Sequence, residues 1–216
     1  MESLVLAMAI ESNRNRPSQT EPTEDVYDDH PPVLEAARAL LGRRLVGYGA
    51  SLLITEVEAY NGPDDPASHA FTRTKRSKTM YGPAFRLYVY QIHTHHCANI
   101  VTSPEGEGSA VLLRAGIVVD GLEAAHERRG DVADHLLARG PGNLTRALGI
   151  TKADLETDLL DGTGVHLAPD ESVYNAAQIV AGPRVGVRLA ADRPWRFWID
   201  GEPSVSAYRR HAKAAR

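Results

Sequence analysis

Two carboxylates in an apolar stretch are the first residues whose chemistry needs an explanation. Residues 51–60 read SLLITEVEAY, with Glu56 and Glu58 where a buried strand normally carries no charge. Strand alternation predicts two faces, one formed by Ile54, Glu56, Glu58 and Tyr60 and the other by Leu53, Thr55, Val57 and Ala59. A buried carboxylate needs a partner, because an unpaired charge is costly in an apolar interior. Two interpretations stay open, an edge strand with a solvated acidic face and a strand that holds a carboxylate in a site.

The most apolar segment of the chain offers that partner. Residues 109–119, SAVLLRAGIVV, contain one charge, Arg114. Pairing Glu58 with Arg114 would relieve the desolvation of both groups. Such a pair can be purely structural, or it can hold Glu58 ionised so that the carboxylate orients a water as a general base.

A set of aromatic side chains could form a binding surface beside this carboxylate. Its members are Tyr60, His69, Tyr88 and Tyr90. Tyr60 shares a predicted face with Glu58, about 7 Å along the strand. This arrangement suits a flat ligand stacked beside a hydrolytic water, although tyrosines are also common core residues of strands.

Two other kinds of site compete with that interpretation. The cluster His93, His95, His96 and Cys97 could belong to a zinc-dependent hydrolase, but no second Cys or His cluster completes a ligand set. Glu56 and Glu58 could act as the acid/base pair of a carbohydrate hydrolase. Only Glu58 has an evident cationic partner, however, and the chain has just two tryptophans, Trp195 and Trp198.

The charge is unevenly distributed along the chain. The net charge is −4, yet residues 1–30 alone carry −5, which leaves +1 for the remainder. Residues 71–86 contain five basic side chains and no acid: Arg73, Lys75, Arg76, Lys78 and Arg86. We call residues 71–86 the basic loop. It could bind phosphates on a near-neutral domain, or it could be an ordinary solvated loop.

Length and composition limit the remaining possibilities. A chain of 216 residues suits one domain, and a single cysteine, Cys97, excludes an intramolecular disulfide and suits a reducing compartment. No apolar run is long enough to span a membrane, and no basic segment precedes the apolar residues 4–10, which argues against a signal peptide. We therefore expect a cytoplasmic protein.

The elements that must position these groups follow from periodicity and from turn residues. Residues 1–30 are acidic and aperiodic, so we expect a disordered tail before a domain at 31–216. Helices are predicted at 33–42, opened by Pro31 and Pro32 and ended by Gly42, at 120–129 with an Asp120–Glu123 capping box, at 143–149, and after Thr151. Strands are predicted at 45–48, 51–60, 87–92, 98–102, 109–119, 184–189 and 196–199. Because no regular βαβ alternation appears, the predicted class is α+β.

Several of these segments together resemble the alkyladenine (3-methyladenine) DNA glycosylase family. They are Glu58-Ala59-Tyr60, residues 62–69 (GPDDPASH), 87–90 (LYVY), 97–99 (CAN), 111–115 (VLLRA), 140–144 (GPGNL), 184–187 (RVGV) and 197–206. Their order and spacing agree with the family from about Pro32 to Tyr208. The resemblance implies a single α+β domain with a mixed, mostly antiparallel curved sheet and surface helices.

The resemblance also implies a role for each matching residue. Glu58 matches the base that activates a water against C1′ of the damaged nucleotide, Arg114 matches the arginine that helps hold the water, and the Val185 carbonyl matches the acceptor beside it. Pocket roles are likewise implied: Tyr60, His69 and Tyr90 match the residues that sandwich a flipped base, Asn99 matches the one that disfavours guanine, and Arg76 matches a phosphate contact.

The implied reaction is hydrolysis of the N-glycosidic bond of alkylated purines in duplex DNA. The bases expected from the resemblance are 3-methyladenine and 7-methylguanine, with ethenoadenine and hypoxanthine as further candidates. No lysine matches a Schiff-base role, so the enzyme is expected to be monofunctional and to leave an abasic site. Neither a metal nor another cofactor is expected, and the protein is expected to act as a monomer on double-stranded DNA.

One segment departs from the family pattern. Family members carry an aromatic residue followed by glycine shortly after the Tyr90 equivalent, and that aromatic wedges into the duplex. Here the stretch reads Ile92-His93-Thr94, and the segment from Tyr90 to Asn99 is one residue short. Either Ile92 or His93 could be the wedge, since an apolar wedge can also unstack DNA. A degraded wedge would leave a protein that binds damage without excising it.

Overall fold

The computed structural model describes residues 31–169 and 172–214, so the expected disordered tail lies outside the described residues. Nine strands are present in this part of the chain: β1 (Arg44–Val46), β2 (Ser51–Asn61), β3 (Leu87–Ile92), β4 (His95–Val101), β5 (Ser109–Asp120), β6 (Ala138–Arg139), β7 (His166–Leu167), β8 (Ile179–Gly182) and β9 (Arg196–Ile199). Three α-helices accompany them: α1 (Pro32–Leu40), α2 (Leu122–Arg129) and α3 (Pro141–Leu148).

The strands form one curled antiparallel sheet, which confirms the predicted α+β class. The main path runs β3-β4-β5-β2-β1-β7, with β6 beside β5 and with β9 joining β8 to β2. Strand β2 pairs along most of its length with β5. Its other edge is shared, because the first residues pair with β1 and Glu56–Glu58 pair with β9. The two glutamates therefore lie on a central strand, and the edge-strand interpretation is wrong.

The main hydrophobic core lies between one face of the sheet and the helices. Helix α1 turns Val33, Ala36, Ala37 and Leu40 inward, at the spacing of one helical face. The cluster continues through Val57 and Ala59 of β2 and through Leu144 and Leu148 of α3. A smaller cluster lies apart from this core and includes Met80, Tyr81 and Tyr88.

Two irregularities in the pairing of β2 with β5 place Ile54 on the opposite face from the one predicted. Ile54 pairs with Gly116 and Val57 pairs with Leu113, but the pairing shifts on both sides of Glu56. These shifts exchange the faces, so Ile54 joins Val57 and Ala59 in the main core. Leu53 and Thr55 do not belong to that core cluster. Bulges of this kind re-aim side chains next to active sites, and here they separate the core half of β2 from the half that carries the glutamates.

Three other local predictions need correction. Residues 184–189 form a loop, and the strand of that region is β8, a few residues earlier. The Asp120–Glu123 capping box is absent, because Gly121 precedes α2 with a φ of 68° and without a side-chain cap. A Cβ at Gly121 would lie 2.0 Å from the Gly49 carbonyl oxygen, which explains the glycine. The helix expected after Thr151 is a single 3-10 turn with a complete capping box.

Candidate active site

A cavity of about 410 Å³ lies on the side of the sheet away from the main core. Its base is built from strand residues, which include Glu58, Tyr60, Tyr90, Asn99 and Arg114. Two loops complete the wall through His69 and Val185, and Ile92 also lines the cavity. The structure thus brings together eight of the ten predicted site residues. Arg76 and His93 are not among the lining residues.

Glu58 is fully buried and accepts contacts from three sides. The Val185 N–H donates to its Oε1 at 2.6 Å, and the Tyr60 hydroxyl donates to its Oε2 at 2.8 Å. Arg114 Nη1 lies 3.4 Å from Oε1, so the predicted ion pair of Glu58 and Arg114 is present. The contact of Val185 with Glu58 is made by its N–H, whereas the resemblance implied a role for its carbonyl.

Arg114 lies closer to Glu56 than to Glu58, a contact that the sequence did not indicate. Its Oε1 lies 2.8 Å from Arg114 Nε and 2.7 Å from Arg196 Nε, and Ser206 donates its N–H and its hydroxyl to the same carboxylate at 2.7 and 2.9 Å. Burial by itself raises the pKa of Glu56, but the two arginines and Ser206 outweigh it and hold the pKa below its usual value. Glu56 does not line the cavity, so the geometry gives no support to an acid/base pair of Glu56 and Glu58.

A cluster of aromatic rings forms one wall of the cavity. The His69 and Tyr90 ring centroids are 4.5 Å apart at 71°, and Tyr88 lies 5.6 Å from Tyr90. The His69 Nδ1 and the Tyr88 hydroxyl are 3.1 Å apart. Burial, and then the charge of Arg76, lower the pKa of His69 to about 4. The imidazole is therefore neutral at pH 7.

The tyrosines of the cavity are neutral as well. Burial, reinforced by the charge of Glu58, raises the pKa of Tyr60 well above its usual value. Burial also raises the pKa of Tyr90 and the pKa of the Cys97 thiol. Uncharged aromatic rings that line a cavity are suited to stacking on a flat ligand.

Arg184 is a buried residue of the site that the sequence prediction missed. It is 1% exposed, binds both carboxylate oxygens of Asp65 and donates to the Ala59 carbonyl. Its guanidinium lies 4.7 Å from the centroid of the Tyr60 ring. This ion pair joins the loop that carries Val185 to the loop that follows β2. Its partners are 119 residues apart, so no local pattern could reveal it.

Asn99 is held in a fixed orientation beside the aromatic wall. It is 5% exposed, and its Nδ2 donates to the Tyr88 carbonyl oxygen at 3.0 Å. Because the amide nitrogen is occupied by the backbone of β3, the side chain presents a defined surface to the cavity.

The β3–β4 hairpin places the two candidate wedge residues at its tip. Ile92 pairs with His95, so the turn consists of His93 and Thr94. Ile92 is 46% exposed and lines the cavity, whereas His93 occupies the turn with a φ of 53°. Arg76, in the basic loop, lies with its guanidinium 5.3 Å from the centroid of the Tyr90 ring.

The described part of the chain has neither the side-chain cluster of a metal site nor a helix suited to a bilayer. Within residues 31–169 and 172–214, no group of three or more His, Cys, Asp or Glu side chains has the arrangement of a metal site. None of the helices in the same ranges is long and apolar enough to cross a bilayer.

Comparison with known proteins adds an independent line of evidence. The sequence profile of the family described as methylpurine-DNA glycosylase matches residues 26–203. A protein of Mycolicibacterium paratuberculosis named "Putative 3-methyladenine DNA glycosylase" is 49% identical over 193 residues, which cover 84% of this chain and 91% of the relative. A protein of the same name from Mycobacterium tuberculosis (strain H37Rv) is 48% identical over 187 residues, covering 83% of this chain and 91% of that protein.

Proposed function

Because the chain belongs to the methylpurine-DNA glycosylase family, we propose that it excises alkylated purines from duplex DNA with Glu58 as the general base. The chain is a DNA-3-methyladenine glycosylase, a DNA repair hydrolase that acts on N-glycosyl bonds. We further infer which lesions it excises, that the base leaves the duplex stack, and which residues carry the reaction.

The observation that carries the proposal is the hydrogen bonding of Glu58. Val185 and Arg114 contact its Oε1, and Tyr60 contacts its Oε2. Each carboxylate oxygen has two lone pairs, so Oε2 keeps one for a water in the cavity. A fixed and buried carboxylate beside an aromatic slot has the placement that a general base needs.

The reaction is a hydrolysis with simple atom balance. The water oxygen bonds to C1′ as the C1′–N bond breaks, the bonding pair leaves with the base, and Glu58 takes a proton from the water. The negative charge of Glu58 also faces the positive charge that develops on the sugar. Among the described residues no lysine lines the cavity, which supports a monofunctional enzyme that leaves an abasic site and an intact backbone.

The base would enter the cavity by leaving the stack. A volume of about 410 Å³ lies within the range of about 300–1,000 Å³ that is typical of small-molecule pockets. Extrusion costs a few kcal/mol and is easiest where damage weakens pairing. Tyr60 on one side and His69 with Tyr90 on the other would stack on the base, while Asn99 would meet the 2-amino group of guanine.

The duplex would contact the hairpin tip and the basic loop. Because Ile92 is exposed and also lines the cavity, its position supports Ile92 as the wedge, with His93 beside it at the turn. Arg76 and the other cations of the basic loop are placed to meet phosphates. We propose that one protomer suffices, because the cavity of a single chain holds every residue that the reaction needs.

A single-turnover excision assay on duplexes that contain ethenoadenine, hypoxanthine or methylated purines tests the proposal. We expect base release by the wild type with a chelator present, binding without release by Glu58→Gln, and loss of both by Tyr60→Ala. The variant of an exposed glutamate, Glu105→Gln, serves as the matched control. Release by Glu58→Gln at the wild-type rate would show that another group is the base.

A different result would favour a second function. If the wild type binds every lesion and releases none, the protein is a damage binder. The shortened segment between Tyr90 and Asn99 would then be the first candidate cause of the lost excision. Activity that disappears with chelator would instead favour a metal-dependent hydrolase.

A further inference from the structure

Two guanidinium groups lie against aromatic rings that line the base cavity. Arg184 lies 4.7 Å from the ring centroid of Tyr60, and Arg76 lies 5.3 Å from that of Tyr90. Neither arginine is among the residues that line the cavity, so neither would touch a bound base directly.

The two arginines differ in how far their charge is neutralised. Arg184 is bound by both carboxylate oxygens of Asp65, so its charge is paired with a buried carboxylate. Among the described residues no carboxylate lies within ion-pair distance of Arg76. Its influence nevertheless reaches the cavity, because its positive charge lowers the pKa of His69 and opposes the rise that burial causes in the pKa of Tyr88.

Breaking the glycosidic bond gives the departing base an electron pair. A cationic base, such as 7-methylguanine, leaves as a neutral molecule. A neutral base, such as hypoxanthine, leaves as an anion unless an acid protonates it. The ionisable side chains of the aromatic walls are poor acids at pH 7, since His69 has already lost its proton and the pKa values of Tyr60 and Tyr90 are raised.

We propose that Arg76, whose guanidinium lies against the Tyr90 ring, is a positive charge that stabilises the electron pair taken up by a departing neutral purine. This inference rests on the proposed glycosylase function. Arg76 acts at a distance, through its electric field and through the Tyr90 ring. It does not touch the reacting atoms, so it is not a catalytic residue in the strict sense. Preorganised charge aimed at the atoms where charge develops lowers a barrier without reorganisation during the reaction.

The charge of Arg76 should affect neutral and cationic lesions differently. A cationic base is repelled when it binds and loses that repulsion as it becomes neutral in the transition state. The second-order rate for a cationic base, measured from free enzyme and free DNA, therefore depends little on this interaction, whatever phosphate contact Arg76 also makes. A neutral base gains attraction only as it becomes negative, so its second-order rate depends directly on Arg76.

Paired excision assays on hypoxanthine and 7-methylguanine in the same duplex sequence test the inference. The single-turnover rate is measured against enzyme concentration for the wild type, Arg76→Met and Arg76→Lys. In Arg76→Met we expect the second-order rate for hypoxanthine to fall about five-fold more than that for 7-methylguanine. Arg76→Lys keeps the charge and should restore most of the wild-type ratio.

Arg73→Met provides the matched control. Arg73 belongs to the same loop and lies 4.8 Å from the ring centroid of Tyr81, which does not line the cavity. Whatever this variant does to DNA affinity, it should leave the ratio of the two lesions at the wild-type value.

Each other outcome overturns the inference in a recognisable way. If Arg76→Met lowers both rates equally and reduces the slope of log affinity against log salt by about 0.9, Arg76 is a phosphate contact only. If both rates fall equally with the salt slope unchanged, Arg76 has a structural role. If the wild type releases neither base, the glycosylase proposal itself fails, a result that does not depend on any Arg76 variant.

Discussion

Glu56 is the residue at which the charges of the site converge. Two arginines and Ser206 satisfy its carboxylate, and one of those arginines extends to Glu58. The orientation of Arg114 toward Glu58 therefore depends on Glu56. Because both carboxylates and both guanidinium groups are buried, loss of one charged partner would leave an uncompensated charge rather than a solvated one.

Glu56→Gln should lower the free energy of unfolding by about 3 kcal/mol, since it leaves two buried guanidinium groups short of a counter-charge. Ser206→Ala removes only a hydroxyl from the same network and should cost about 1 kcal/mol. Urea unfolding of both variants measures the difference. An equal loss in the two variants would show that the charge of Glu56 is not what matters.

The low pKa of His69 predicts a dependence of stability on pH. The folded pKa of about 4 lies below the ordinary value of 6.5, so the unfolded chain takes up a proton first as the pH falls. The contribution of the neutral His69 imidazole to the free energy of unfolding is fully present above pH 6.5 and is lost as the pH falls toward 4. Between pH 7 and pH 5 the wild type should lose about 2 kcal/mol at most through this group, because the ring is partly exposed. Urea titrations at both pH values should show a smaller loss for His69→Gln, and an identical loss would contradict the assignment.

At the scale of elements, the strands were predictable and their irregularities were not. The apolar runs predicted β2, β3 and β5 closely because a central antiparallel strand is apolar over most of its length. The face exchange at Glu56 has no local signature, since Thr55 and Arg114 suit a regular strand as well as a bulge. The contacts of Glu56 with Arg196 and Ser206 span 140 and 150 residues, so only the folded chain reveals them. Periodicity also favoured a strand at 184–189, but Arg184 is bound to Asp65 and Val185 to Glu58, and these contacts shape a loop.

The β3–β4 hairpin has a turn residue in an unfavourable conformation. His93 has a φ of 53°, which glycine adopts without the steric penalty of a Cβ. His93→Gly should therefore raise the free energy of unfolding by about 0.5–1 kcal/mol in thermal or urea unfolding.

The same variant separates the two candidate wedges. If Ile92 is the wedge, His93→Gly should excise lesions normally and Ile92→Ala should excise them poorly. A more stable His93→Gly protein that no longer excises would instead identify His93 as the wedge.

At the scale of the whole molecule, charge is divided between the first thirty residues and the rest. Residues 1–30 carry a net charge of −5, and the remaining residues carry +1. Acidic residues repel DNA, and they also compete with it for a basic surface such as the basic loop.

A chain that lacks residues 1–30 should bind undamaged duplex DNA several-fold more tightly at low salt, and the difference should shrink as salt is added. Fluorescence anisotropy across a salt series measures this effect. A full-length control in which the seven acids of that segment become Asn or Gln should behave like the truncated chain. If only the truncation changes the affinity, the effect comes from the presence of the segment and not from its charge.

The cavity draws its residues from two parts of the fold, the central strands and the loops. Glu58 and Arg114 lie on central strands whose alternate residues build the core, whereas His69 and Val185 lie on loops. Substitutions around Glu58 therefore tend to destabilise the fold. Substitutions in the loops mainly change which bases fit the cavity. Across generations, the range of lesions can drift while the hydrolytic step stays constant. Laboratory evolution toward a new base should accordingly begin in residues 69–76 and 185–189.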